Sequence, residues 1–159
     1  MCDQGAAIPP PPIVYSLEMQ DASIGSRWLR GKLVRTFQKP VTQHGLLKLY
    51  VVKHGGDIIY VGHTSQPMAN RLRIGFTAQG EHGYWGYQWK DLEGVELLIW
   101  CFPNEERYRV EAIEAELVYL VRKNTGTWPK GQTEIHFRNV PEETRAVARR
   151  IFREYLSPQ

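Results

Sequence analysis

Cysteine is nearly absent from this chain. Cys2 and Cys101 are the two present in 159 residues, too few for a disulfide framework or for the ligands of a structural zinc site. Both are expected to be free thiols. No stretch approaches the ~18 consecutive apolar residues that a membrane-crossing helix needs. The amino terminus has no basic region followed by an apolar one, so the expected compartment is the cytoplasm, with no membrane partner. Internal repeats are missing as well. What is present is ordinary for a folded domain: 42% apolar, 23% charged and a generous 11% aromatic residues, values that argue against disorder. The length fits one domain able to bury its own core.

The net charge of +3 is small, but its distribution is uneven. Between residues 22 and 80 lie nine basic residues (Arg27, Arg30, Lys32, Arg35, Lys39, Lys48, Lys53, Arg71, Arg73) against one acid, Asp57. From residue 81 to 116 nine acids face Lys90, Arg107 and Arg109. Phosphates would be attracted to the first segment, and the second would be turned away or used to hold a cation. Solvated surface is the alternative for such charge runs.

Pro9, Pro10, Pro11 and Pro12 favour an extended polyproline conformation, so residues 1–21 read as a flexible lead and 22–159 as one domain. Trp28, Leu29, Leu33, Val34 and Phe37 recur at spacings of three and four, which predicts a short basic helix over 26–38. Residues 46–53 and 58–62, rich in Val, Ile and Tyr and separated by His54-Gly55-Gly56-Asp57, predict a β-hairpin. Ser65 and Pro67 suit the start of a helix through Arg71 to about Ile74, stopped at Gly75. Residues 76–90 mix glycine with aromatics and read as an ordered loop. A third strand is expected at 95–102. A long helix follows, capped at Asn104, striped by Val110, Ile113, Leu117, Leu120 and Val121, and ended by Gly126 and Pro129. A short strand is expected at 134–137, then a last helix opened by Pro141. The expected fold is α+β: a small, mainly antiparallel sheet, made of the hairpin plus the third strand, flanked by helices.

Tyrosines sit in both hairpin strands, Tyr50 and Tyr60; an arginine, Arg71, lies in the following helix; carboxylates lie in the long helix. Singly, a strand tyrosine is packing and a helix arginine is solvated. Tyr60-Val61-Gly62-His63-Thr64 adds a glycine at a strand end, where a backbone turns or approaches a ligand. In these residues the chain resembles the GIY-YIG nuclease family. Lys48-Leu49-Tyr50 corresponds to the first family signature, of which the tyrosine alone is kept, and Tyr60-Val61-Gly62 corresponds closely to the second. The resemblance spans roughly residues 46–137. It implies that Tyr50 and Tyr60 are catalytic tyrosines, Arg71 the catalytic arginine and His63 an accessory polar group. It implies a metal-binding glutamate at Glu114, within Glu114-Ala115-Glu116-Leu117-Val118, with Glu116 as its rival. Two family features are lacking. Gly75 stands where a histidine or tyrosine often follows the arginine, with Tyr84 or His82 as substitutes, and Asn124 or Gln132 would have to serve for the usual asparagine.

Such a set suits phosphodiester hydrolysis. A carboxylate with water around it suits Mg²⁺ or Mn²⁺, and Arg71 would neutralise charge on phosphoryl oxygens. Tyrosine, with a pKa of ~10, is a poor base unless a cation and an arginine lower that value, which is the role expected for Tyr50. The function expected is a Mg²⁺-dependent endonuclease on double-stranded DNA resembling a type II restriction enzyme, with a homodimer or higher oligomer to cut two strands. A non-catalytic module gripping nucleic acid through Trp85, Tyr87 and Trp89, or a structure-specific repair nuclease, are the alternatives. Arg27, Arg30, Lys32, Arg35, Arg73 and Gln132, with the arginines of the last helix, are the candidate DNA contacts.

Overall fold

The computed structural model describes residues 9–132 and 139–157. Six strands form one antiparallel sheet: β1 (Ile13–Gln20), β2 (Ser23–Leu29), β3 (Lys32–Val34), β4 (Leu47–His54), β5 (Asp57–Thr64) and β6 (Gly94–Phe102), in the order β3-β2-β1-β6-β4-β5. Three helices complete the α+β domain: α1 (Met68–Thr77), α2 (Arg107–Thr125) and α3 (Glu142–Ile151), the last continued by a π-helical turn at Phe152–Leu156. No helix among the described residues is long and apolar enough to cross a membrane.

The β4–β5 hairpin, β6 and the helices α1, α2 and α3 lie where the sequence places them, with shifted ends. Pro67, not Ser65, is the residue preceding α1, and the helix runs through Gly75 to Thr77. Glu106, not Asn104, precedes α2. The strand expected at 134–137 lies outside the described residues.

The amino-terminal third differs from expectation. Residues 13–20 are not lead but β1, a central strand, because Tyr15 and Leu17 alternate with Ser16 and Glu18 and are buried while the latter are exposed. Residues 26–38 hold no helix. Arg30 and Gly31 both take positive φ (52° and 77°), the requirement of a two-residue type I′ turn, and this turn joins β2 to β3. Asp21-Ala22 (51° and 58°) and Gly55-Gly56 (57° and 87°) do the same for the other two hairpins. One turn chemistry therefore builds every tight connection of the sheet.

Over β4, β6 and much of β5, apolar side chains pack on both faces of the sheet. On one, Leu49, Val51, Val61, Leu98 and Trp100 pack with Val110, Ile113 and Leu117 of α2 and with Ala148 and Ile151 of α3. On the other, Tyr15, Leu17, Tyr50, Val52 and Leu97 pack with Met68, Leu72 and Phe76 of α1, with Tyr87 and Trp89, and with Phe37 and Val41 of the segment crossing from β3 to β4. Lys48 is wholly buried. Its ammonium donates to the carbonyls of Gln43, Leu46 and Gln66 at 2.8, 2.8 and 2.9 Å, using all three protons, and so ties the approach to β4 to the exit from β5.

Candidate active site

Tyr50 lies opposite Gly62 across the β4–β5 ladder, and Tyr60 is two residues back on β5. Side chains two apart share a face, so both rings stand on the α1 side, with centroids 5.8 Å apart. Gly62 is what lets them meet: a Cβ there would lie 2.7 Å from the rings of both tyrosines. Tyr87 closes the group. Its hydroxyl is 2.7 Å from that of Tyr50, and its ring stands edge-on to Tyr60 at 5.1 Å. Gly75, where the sequence suggests a helix stop, is instead the notch in α1 that admits Tyr87, since a Cβ would come within 2.0 Å of its ring.

Arg71 projects from α1 into this aromatic wall. Its guanidinium carbon lies 5.1 Å from the Tyr87 ring centre and 5.6 Å from that of Tyr84, and both terminal nitrogens donate to the Tyr84 hydroxyl at 3.1 Å. No carboxylate pairs with it among the described residues. Burial pulls its pKa down, but the surrounding tyrosine oxygens, those of Tyr50 and Tyr87 first, push it up and prevail, so the cation persists. Of the two substitutes considered for the residue after the arginine, Tyr84 makes the contact and His82 does not.

Burial moves the tyrosines the other way from the expectation for a base. Tyr50 is fully buried, and desolvation, then Tyr87, raises its pKa well above the ordinary value despite the opposing pull of Arg71. Tyr87 is raised by burial too. Tyr60 is raised by burial, Tyr50 and, to a smaller extent, the Glu114 carboxylate. Tyr50 is therefore a neutral hydroxyl bonded to another hydroxyl, not the ready proton acceptor anticipated. Tyr60 alone of the three keeps partial exposure.

His63 points to the other side of β5, as alternation requires. There α2 brings two carboxylates to it: Glu114 bonds Nδ1, and Glu111 approaches Nε2 at 3.5 Å. Glu111 and Glu114 are three apart and share a helix face, and the sequence signal for Glu111 was that spacing, overlooked beside the motif. Glu116 is about 200° around the helix from Glu114. It is buried toward α3, 4.0 Å from Arg145, so α2 separates the two rival glutamates onto different faces. No set of three or more His, Cys, Asp or Glu side chains among the described residues is arranged to hold a metal. A single oxygen donor, Glu114, fits a cation such as Mg²⁺ that keeps several of its own waters.

The nucleic-acid candidates fare unevenly. Gln132 is committed elsewhere: its amide accepts from Val61 N–H at 3.1 Å and donates to Val61 C=O at 3.2 Å, covering the outer edge of β5. Arg27 bonds the Arg35 carbonyl and lies 4.9 Å over the Phe37 ring. Arg30, Lys32 and Arg35 are exposed but at the β3 edge, five strand intervals from β5, or about 24 Å at ~4.8 Å per strand. Arg73 is exposed on α1, next to the site in sequence. In α3 and the turn after it, Arg149 pairs with Glu142 and Arg150 with Glu154, each at 2.8 Å. Tyr87 and Trp89 are buried, leaving Trp85 as the exposed aromatic of the loop. Comparison of the chain with protein-family models, with curated proteins and with solved structures gives no match.

Proposed function

We propose that this chain is a Mg²⁺- or Mn²⁺-dependent DNA endonuclease of the GIY-YIG kind, working in the manner of a type II restriction enzyme. One observation carries the reading: a half-buried arginine with no acidic partner among the described residues faces a tyrosine wall on one side of an edge strand, while two carboxylates gather on the other. The first is a receptor for an anion, the second for a cation, and a phosphodiester with its divalent metal presents both.

In this scheme Arg71, held by Tyr84, binds the non-bridging oxygens of the scissile phosphate and neutralises the charge that builds on them. Tyr60, the edge-strand tyrosine with an open side, meets the attacking water, and Tyr50, fixed by Tyr87, acts as a neutral hydrogen-bonding group behind it. Glu114 would hold the cation, and His63, braced between Glu114 and Glu111, orients that carboxylate. The metal supplies stabilisation of the leaving oxygen when bound. Two strands of a duplex require two such sites, which supports a homodimer or higher oligomer.

Digestion of several defined duplexes with and without Mg²⁺, followed by sequencing of the ends, tests the reading. Discrete, identical ends that vanish with chelator are expected. Binding without cutting at any Mg²⁺ or Mn²⁺ concentration would reject the enzyme in favour of a binding module, and cutting only at branches or flaps would move it to a repair role.

A further inference from the structure

We propose that Trp85 is a platform for a nucleobase, on which the base flanking the phosphate held by Arg71 stacks; the inference rests on the nuclease reading above and extends it to how the strand is gripped. Among the described residues Trp85 is the most exposed large hydrophobic, at 71%. It is flanked in sequence by Gly86 and Tyr84, and both Tyr84 and Tyr87 lay their rings against Arg71. Trp85 therefore follows directly in the chain on the residue whose hydroxyl and ring hold the guanidinium.

The loop that presents it is built, not slack. Gly80 N–H donates to the Tyr84 carbonyl at 2.9 Å, Gly83 N–H to Gly80 at 3.1 Å and Tyr84 N–H to Glu81 at 3.0 Å. The Glu81 carboxylate accepts from Gln79 N–H at 2.8 Å. Gly86 is pressed so closely on α1 that a Cβ would meet the Gly75 carbonyl at 2.1 Å. The six-membered ring of Trp85 rests on Gly80, at φ +98°, where a Cβ would come within 2.8 Å. A preorganised aromatic surface loses little freedom on binding. Every base offers a π-face, so such a platform grips a strand without choosing its sequence. The buried Tyr87 and Trp89 give the loop its seat, and Trp85 is the part left for a ligand.

The test uses the full chain and a duplex whose cut position the digestion above has fixed, with 2-aminopurine placed in turn at each nucleotide around the cut. Expected results are quenching at one flanking position, loss of that quenching in Trp85→Ala, DNA binding weakened about 10-fold or more, and most of both recovered in Trp85→Phe. An abasic site at the quenched position should weaken the wild type but leave Trp85→Ala unchanged. Unaltered binding, quenching and cutting by Trp85→Ala, in a wild type that does cut, would overturn the platform alone. So would a variant whose only change is weaker self-association in sedimentation, which would make Trp85 a contact between copies. A wild type that cuts no duplex under any metal condition would remove the nuclease reading first and the platform with it.

Discussion

The two sides of β5 solve opposite electrostatic problems with the same few residues of strand. On the α1 side Tyr50 and Tyr87 are buried, and the charge set among the rings is that of Arg71, whose partners are rings and hydroxyls. On the α2 side His63, Glu111 and Glu114 keep side-chain exposures of 22%, 21% and 14% and lean on one another. A half-buried cation with no carboxylate beside it among the described residues relies on those rings and hydroxyls, and the tyrosine oxygens outweigh the cost of its burial. The difference teaches that one side holds a cation on neutral partners, whereas the other braces its carboxylates on an imidazole.

Removing either receptor should have the largest effect. Glu114→Gln is expected to abolish metal-dependent cutting at any practical Mg²⁺ concentration, and Arg71→Ala to slow single-turnover cleavage by at least ~10²-fold; activity surviving in either would erase the distinction between the two sides. Gly62→Ala comes next, because its Cβ strikes both tyrosine rings. Overpacking costs about 1–3 kcal/mol, so a lowered melting temperature should accompany the loss of cutting, and an unchanged one would mean that the rings are not as close as described. Tyr50→Phe strands the buried Tyr87 hydroxyl, at about 1–3 kcal/mol, whereas Tyr50→Phe with Tyr87→Phe removes both partners and should be more stable than the single variant. Denaturant titration of the four proteins in that cycle reads the coupling, and strict additivity would deny the bond. Glu116→Gln, which only loosens a contact with Arg145, should leave the Mg²⁺ dependence of cutting unmoved; a shifted titration would return Glu116 to the metal site. The smallest effect is expected farthest away. Ala22→Gly relieves an alanine at φ 58°, a strain of about 1–2 kcal/mol, and should raise stability with no change in cleavage.

How far the sequence could be read followed how local each signal was. Gly55-Gly56 between two apolar runs announces a hairpin, and Gly126 ends α2 in the left-handed conformation helix ends favour. Tyr50, Tyr60 and Arg71 are spaced by that hairpin and the helix after it, so their meeting could be anticipated. Glu114 and Glu116 could not be told apart until the phase of α2 against β5 and α3 was fixed. β1 was hidden because its alternation follows four prolines and its partner β6 is far along the chain. In residues 26–38 the apolar residues of two short strands fall by chance at helical intervals, and Arg30-Gly31 is a less obvious hairpin turn than Asn-Gly. Tyr87 reads from the sequence as an aromatic for nucleic acid, since nothing in a glycine-rich loop marks one aromatic for the core; the clue is Gly75, the gap in α1 that its ring fills.

The position of β6 sets the order in which this molecule can be assembled. The meander β1–β3 and the hairpin β4–β5 each close through two-residue turns as soon as they are made. Yet neither pairs with the other: Leu98 of β6 stands between Val14 of β1 and Val51 of β4, and Ile99 between Ile13 and Tyr50. Until residue 102 has been synthesised, both pieces carry an open edge strand with apolar faces, the condition that invites wrong pairings between chains. A charge or proline at Leu98 should therefore act on yield before it acts on chemistry, sending the nascent chain into aggregates in which the two halves find partners other than their own sixth strand.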